Sequence, residues 1–87
     1  MDIFIYASPG FGRPRDEIED AIENFLGPNG EVTGGGAGTS GANIDIEIHE
    51  DSEVSESTIE ELRRILAEFN VPQNTVIVVG GVKHSIY

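Results

Sequence analysis

Three side chains at alternate positions, Asp45, Glu47 and His49, have the types and spacing best suited to chemistry in this chain. Alternate residues of an extended strand share a face, so two carboxylates and an imidazole would stand side by side. Such a set could ligate a divalent cation, with His84 as a distant further donor, or divide general-acid and general-base work between the carboxylates. The spacing matches no known zinc pattern. Acid–base work by paired carboxylates needs a cleft that tunes the two groups differently, which an open strand face on a small domain rarely supplies. No metal centre, catalytic residue or cofactor is therefore expected, and the chain is not read as an enzyme.

A second motif precedes these residues. Gly36-Ala37-Gly38-Thr39-Ser40-Gly41 spells G-x-G-x-x-G. As a dinucleotide fingerprint it needs a strand before it and a helix after it, so that a helix N-terminus meets the pyrophosphate. The run leads instead into "ANIDIEIHE", a strand pattern, and Glu31, Asp45 and Glu47 would repel phosphate. It is read as a flexible connection between two strands, adaptable at a contact.

Charge dominates the composition. Sixteen acids face five Lys and Arg, a net charge of −11 over 87 residues, and from Asp16 to Leu62 there are fourteen acids and no base. Such a field disfavours direct nucleic-acid binding and draws in basic proteins. The length suits a single domain spanning residues 1–87. Cysteine is absent, which removes disulfides and thiol chemistry and fits a reducing compartment. No apolar run reaches the roughly 18 residues of a membrane span. The start Met1-Asp2-Ile3-Phe4 has no basic n-region, so a cytoplasmic location is expected.

The elements that must position these groups are legible in chain order. "DIFIYA", residues 2–7, is a strand ending at Ser8-Pro9-Gly10. In "RPRDEIEDAIENFLGPNG", Ile18, Ala21, Ile22, Phe25 and Leu26 form one helical stripe, with Pro14 in the first turn and Gly27 to Gly30 as the stop. "EVTGG" is a short, poor strand. Ile44, Ile46 and Ile48 alternate with Asp45, Glu47 and His49, which predicts a strand with one open, charged face. A second helix runs through "SESTIEELRRILAEFN", with Ser57 and Glu60 as its capping box and Ile59, Leu62, Ile65, Leu66 and Phe69 as its buried stripe. Thr75 to Val79 form a last strand, and "VKHSIY" is an edge extension or a frayed tail. The order β-α-β-β-α-β predicts an α+β fold of ferredoxin-like type, a four-stranded antiparallel sheet with both helices on one face. Phe11, Tyr6 and Tyr87 could each be a partner anchor or a side chain of the core.

The segment "GEVTGGGAGTSGANIDIEIHED", Gly30 to Asp51, in a short, cysteine-free and strongly acidic chain, resembles the small acidic immunity proteins of bacterial contact-dependent growth inhibition and polymorphic toxin systems. The resemblance implies a protein that binds a cognate basic toxin, often a nuclease, and covers its active site, with no catalytic residues of its own. A monomer in a 1:1 complex is expected, without nucleic acid or membrane. An acidic surface would imitate the phosphates of the nuclease's substrate and speed association. The expected contacts are Asp45, Glu47, Glu50, Asp51 and Glu53, with Glu19, Asp20 and Glu23 as a second surface. Two other classes stay open. One is a small ligand-binding or oligomerising regulatory domain of ferredoxin-like fold, pairing copies through "VIVVGGVK". The other is a metal-assisted hydrolase built on Asp45, Glu47 and His49.

Overall fold

The computed structural model describes residues 1–38, 40–49 and 54–87. The chain runs β1 (Asp2–Ala7), α1 (Arg15–Leu26), a 3₁₀ turn (Gly27–Asn29), β2 (Gly30–Gly38), β3 (Gly41–Ile48), α2 (Glu56–Glu68), β4 (Val76–Val79) and β5 (Val82–Ser85). The strands form one antiparallel sheet in the order β2-β3-β1-β4-β5. The fold is thus α+β, as expected, but the sheet has five strands rather than four.

Strand alternation and helical periodicity meet in one core. Ile3 and Ile5 of β1, Ile44, Ile46 and Ile48 of β3 and Ile77 of β4 turn to the same side of the sheet. There they pack with Ile18, Ile22 and Leu26 of α1 and Leu62, Ile65 and Leu66 of α2. Each such side chain contributes about 1.5–3 kcal/mol by leaving water. Both helices therefore cover one face, and the other face is bare. Phe11 belongs to the core at 3% exposure, which removes it as a partner anchor. Phe25, expected in the α1 stripe, is instead 38% exposed at the rim of a cleft with Leu26, Ile48 and Thr58.

Two elements differ from expectation for reasons of backbone chemistry. The tail returns as β5 because Gly80 and Gly81 both take positive φ, 56° and 80°. A two-residue turn of that kind matches the twist of a hairpin, and Val79 faces Val82 across it. "VIVVGGVK" thus forms a hairpin, with β5 at the edge of the sheet. The glycine run is likewise not a loose connection. It is the outer half of β2, paired with β3 as far as Gly38 opposite Gly41, with a register shift between Val32 and Gly34. Glycine inside a strand marks a close backbone approach. A Cβ on Gly30 would lie 2.7 Å from the Glu47 carbonyl oxygen, and one on Gly35 would lie 2.6 Å from that of Asn43.

The cap of α2 also moves. Ser55, still extended, accepts the Thr58 N–H on its side chain at 3.3 Å, and the Thr58 hydroxyl answers the Ser55 N–H at 3.4 Å. Ser57 is already helical, so the Ser57–Glu60 box does not form. Ser55→Ala is expected to cost about 1 kcal/mol, whereas Ser57→Ala should leave stability close to unchanged. Urea denaturation at constant slope measures both. On the outer side of α2, Arg64 donates to Glu61 at 2.9 Å and to Glu68 at 2.7 Å. Hydrogen bonding from Arg64, with its charge, holds the Glu61 carboxyl below the usual carboxylate range. A carboxyl lowered in this way stabilises the fold above its unfolded value and loses that contribution as pH falls through the folded one.

Candidate functional site

The bare face of the sheet is built by the residues that alternate with the core. Because Ile44, Ile46 and Ile48 turn inward, Asn43, Asp45 and Glu47 turn outward. Phe4 and Tyr6 stand beside them on β1, between the buried Ile3, Ile5 and Ala7. Register then sets three rows across the strands. The first is Glu31–Glu47–Asp2 on β2, β3 and β1. The second is Gly34–Asp45–Phe4–Val78–Lys83, and the third is Gly36–Asn43–Tyr6–Val76–Ser85.

The first row places three exposed carboxylates directly abreast, with Asp45 one step along β3. Like charges opposite one another oppose pairing by about 0.2–1 kcal/mol per pair. Among the described residues no ion pair engages these four, and three of the five Lys and Arg pair elsewhere. Arg15 pairs with Glu19 at 2.7 Å, Arg63 with Glu60, and Arg64 with Glu61 and Glu68. All of those partners lie on helices. Four of the nine helical acids, Glu19, Glu60, Glu61 and Glu68, are thus matched by cations, and none of the four on the open face is.

The middle of the face is apolar. Phe4 and Tyr6 stack with centroids 6.4 Å apart and planes at 29°. Tyr6 is 45% exposed, and Val76 and Val78 flank the pair on β4. Beyond Tyr6 and Asn43 the face ends in a cleft of about 400 Å³, bordered by Ser8, Ser40 and Asn74. Asn74 closes the floor of that end by bridging the Ser8 backbone, accepting from its N–H at 3.3 Å and donating to its carbonyl at 2.8 Å.

The expected site residues divide by place. Asp45 and Glu47 lie on the open face as anticipated. Asp20 and Glu23 are exposed on α1, on the far side of the core, and Glu19 is half-buried against Arg15. The two expected surfaces are therefore on opposite sides of the molecule and are not one patch. Glu50, Asp51 and Glu53 lie outside the described residues. Sequence reasoning missed Asp2 and Glu31, which only the cross-strand register brings beside Glu47. Tyr6 emerges as a face residue, while Tyr87, also exposed, donates its hydroxyl to the Val71 carbonyl at 2.7 Å.

The metal-ligand grouping does not assemble. The His49 ring donates through Nδ1 to the Pro28 carbonyl at 2.8 Å, toward the turn after α1. His84 stands opposite Ile77 on the helix side of the sheet, near Glu56, Glu60 and Arg63. Among the described residues no three His, Asp or Glu side chains converge enough to hold an ion. Likewise Gly36, Gly38 and Gly41 belong to a pair of adjacent strands and lead into β3, not into a helix, so the strand–glycine–helix order of a dinucleotide fingerprint does not form. Among the described residues no helix is long and apolar enough to cross a membrane. Comparison with family models, curated proteins and solved structures finds no match.

Proposed function

We propose that this chain is an immunity-type inhibitor that binds a cognate basic toxin, a nuclease in the first instance, and occludes its active site with the open face of the sheet. The observation that carries the reading is the row Glu31–Glu47–Asp2, continued by Asp45, held without counter-ions beside an exposed aromatic pair. Strand geometry spaces these carboxylates at roughly 5 Å across the sheet and 7 Å along it. That is a rigid polyanion, suited to a groove that accepts phosphates. Aromatic side chains supply the buried centre of protein interfaces and charges supply the rim and the encounter rate. The first four strands, with both helices on one side, fit the ferredoxin-like arrangement with β5 added at an edge. Binding to a partner, not turnover, is what such a flat face supports.

The test is co-expression with a toxin domain found encoded beside this chain. The toxin alone is expected to arrest growth. With this protein growth should recover, and the two should purify as a 1:1 complex in which the toxin is inactive. Failure of both rescue and complex formation, or a genomic neighbourhood without any toxin gene, would remove the reading.

A further inference from the structure

The glycines of β2 are of two kinds, and the difference points to a site. Gly30 and Gly35 are required by sterics, since a Cβ at either would run into a β3 carbonyl oxygen. Gly34 and Gly36 are not. A Cβ on Gly34 would meet only the Asp45 Oδ2, at 3.8 Å, and one on Gly36 only the Asn43 Oδ1, at 3.5 Å. Neither has a positive φ, so backbone conformation does not demand glycine either. A strand position of this kind gains from a β-branched side chain. Glycine there leaves open space above the sheet.

That space has a chemistry. Asn43 donates from its amide nitrogen to the Asp45 Oδ1 at 2.9 Å. The bond fixes both side chains and leaves two acceptors over, the Asp45 Oδ2 and the Asn43 Oδ1. Those are the two atoms that look toward Gly34 and Gly36. On the other side of β3, Phe4 and Tyr6 form an apolar shelf. The face thus offers a shelf for an aliphatic stem, a bare glycine floor for a flat head group, and two fixed acceptors at its edge, one of them charged.

We infer that Phe4, Tyr6, Gly34, Gly36, Asn43 and Asp45 form a docking trough for a guanidinium group, filled by an arginine side chain of the partner. The stem lies across the rings and the planar head lies over the glycines, donating to Asp45 and Asn43 together. Arginine fits better than lysine because a planar fork can serve two separated acceptors at once, whereas an ammonium is a point charge. The neighbouring row Glu31–Glu47–Asp2 adds negative potential of the same sign. The inference rests on the docking-face reading for what delivers the arginine; the trough itself needs no toxin to be tested.

The probe is N-acetyl-arginine amide, titrated into the isotope-labelled full chain and followed by NMR, with N-acetyl-lysine amide at matched ionic strength as comparison. The Asn43 side-chain amide and the Gly34 and Gly36 N–H signals should shift saturably with arginine, and lysine should bind roughly fivefold or more weakly. Asp45→Asn should abolish the preference. Gly36→Val is the decisive variant. It should raise the melting temperature, because it adds strand propensity and its Cβ makes only an ordinary contact with the Asn43 Oδ1 at 3.5 Å, and it should eliminate the shifts by filling the floor. Equal responses to arginine and lysine, or an undiminished response in Gly36→Val, would overturn the trough. A working toxin complex with no arginine response removes the trough alone, and an arginine response without toxin rescue removes the toxin alone.

Discussion

Reversing Asp45 and Glu47 to lysine is expected to slow association with a basic toxin by an order of magnitude or more at low ionic strength. The double reversal changes the net charge from −11 to −7, since each substitution adds two. Asp20→Lys with Glu23→Lys makes the same change on the other side of the molecule. At about 0.01 M salt the screening length is roughly 30 Å, comparable with the molecule's 36 Å longest extent. Both variants should then associate more slowly, because the whole field steers. At physiological salt the length falls to about 8 Å, well short of the 22 Å breadth. Only charges near the docking face should still matter, so the Asp45/Glu47 variant stays slow and the Asp20/Glu23 variant recovers. Stopped-flow association at both salts reads this directly. Identical behaviour of the two variants would mean that no face is privileged, and the reverse pattern would move docking to α1.

The fold should survive the first pair of reversals. Glu47 faces Asp2 and Glu31 in register, so a lysine there replaces two repulsions by two attractions. A lost on-rate would then be a property of binding and not of unfolding. The prediction separates encounter from complex lifetime as well. Charges at a rim act mainly on association, whereas truncation of an anchor that the complex would bury, such as Tyr6, acts mainly on dissociation.

Legibility in the sequence followed side-chain periodicity. The helices and β3 announced themselves because apolar residues recur at helical or alternating spacing, and the core formed from those very residues. β2 was illegible beyond Gly35 because glycine has no side chain to alternate. β5 was illegible because "VKHS" is short and polar, although Gly80-Gly81 between two runs is a hairpin signal that could have revealed it. Phe25 sits at the margin of its stripe, and periodicity cannot tell a margin from a centre. The site was half legible for a different reason. Asp45 and Glu47 follow from alternation within one strand. Asp2 and Glu31 join them only through strand order and register, which depend on contacts far apart in sequence. The two free acceptors over the glycine floor depend on side-chain orientation, which spacing does not carry.

Gly35→Val is expected to destabilise the protein by about 2–3 kcal/mol, while the same change one residue later stabilises it. The new Cβ at residue 35 would lie 2.6 Å from the Asn43 carbonyl oxygen and 3.4 Å from the Arg15 guanidinium. The guanidinium can swing away, but the carbonyl is part of the β2–β3 pairing and cannot move without prising the strands apart. Overpacking of this kind typically costs about 1–3 kcal/mol, and weakened pairing adds to it. Against a total stability on the order of 0.05–0.15 kcal/mol per residue, that is a large share for 87 residues. At Gly36 the Cβ points to the open face, 3.5 Å from the Asn43 side chain, an ordinary contact. Denaturant midpoints of the two single variants should therefore move in opposite directions from wild type. If both fell together, the close approach of β2 to β3 would not be what keeps Gly35 a glycine, and the register that aligns Glu31 with Glu47 would lose its steric support.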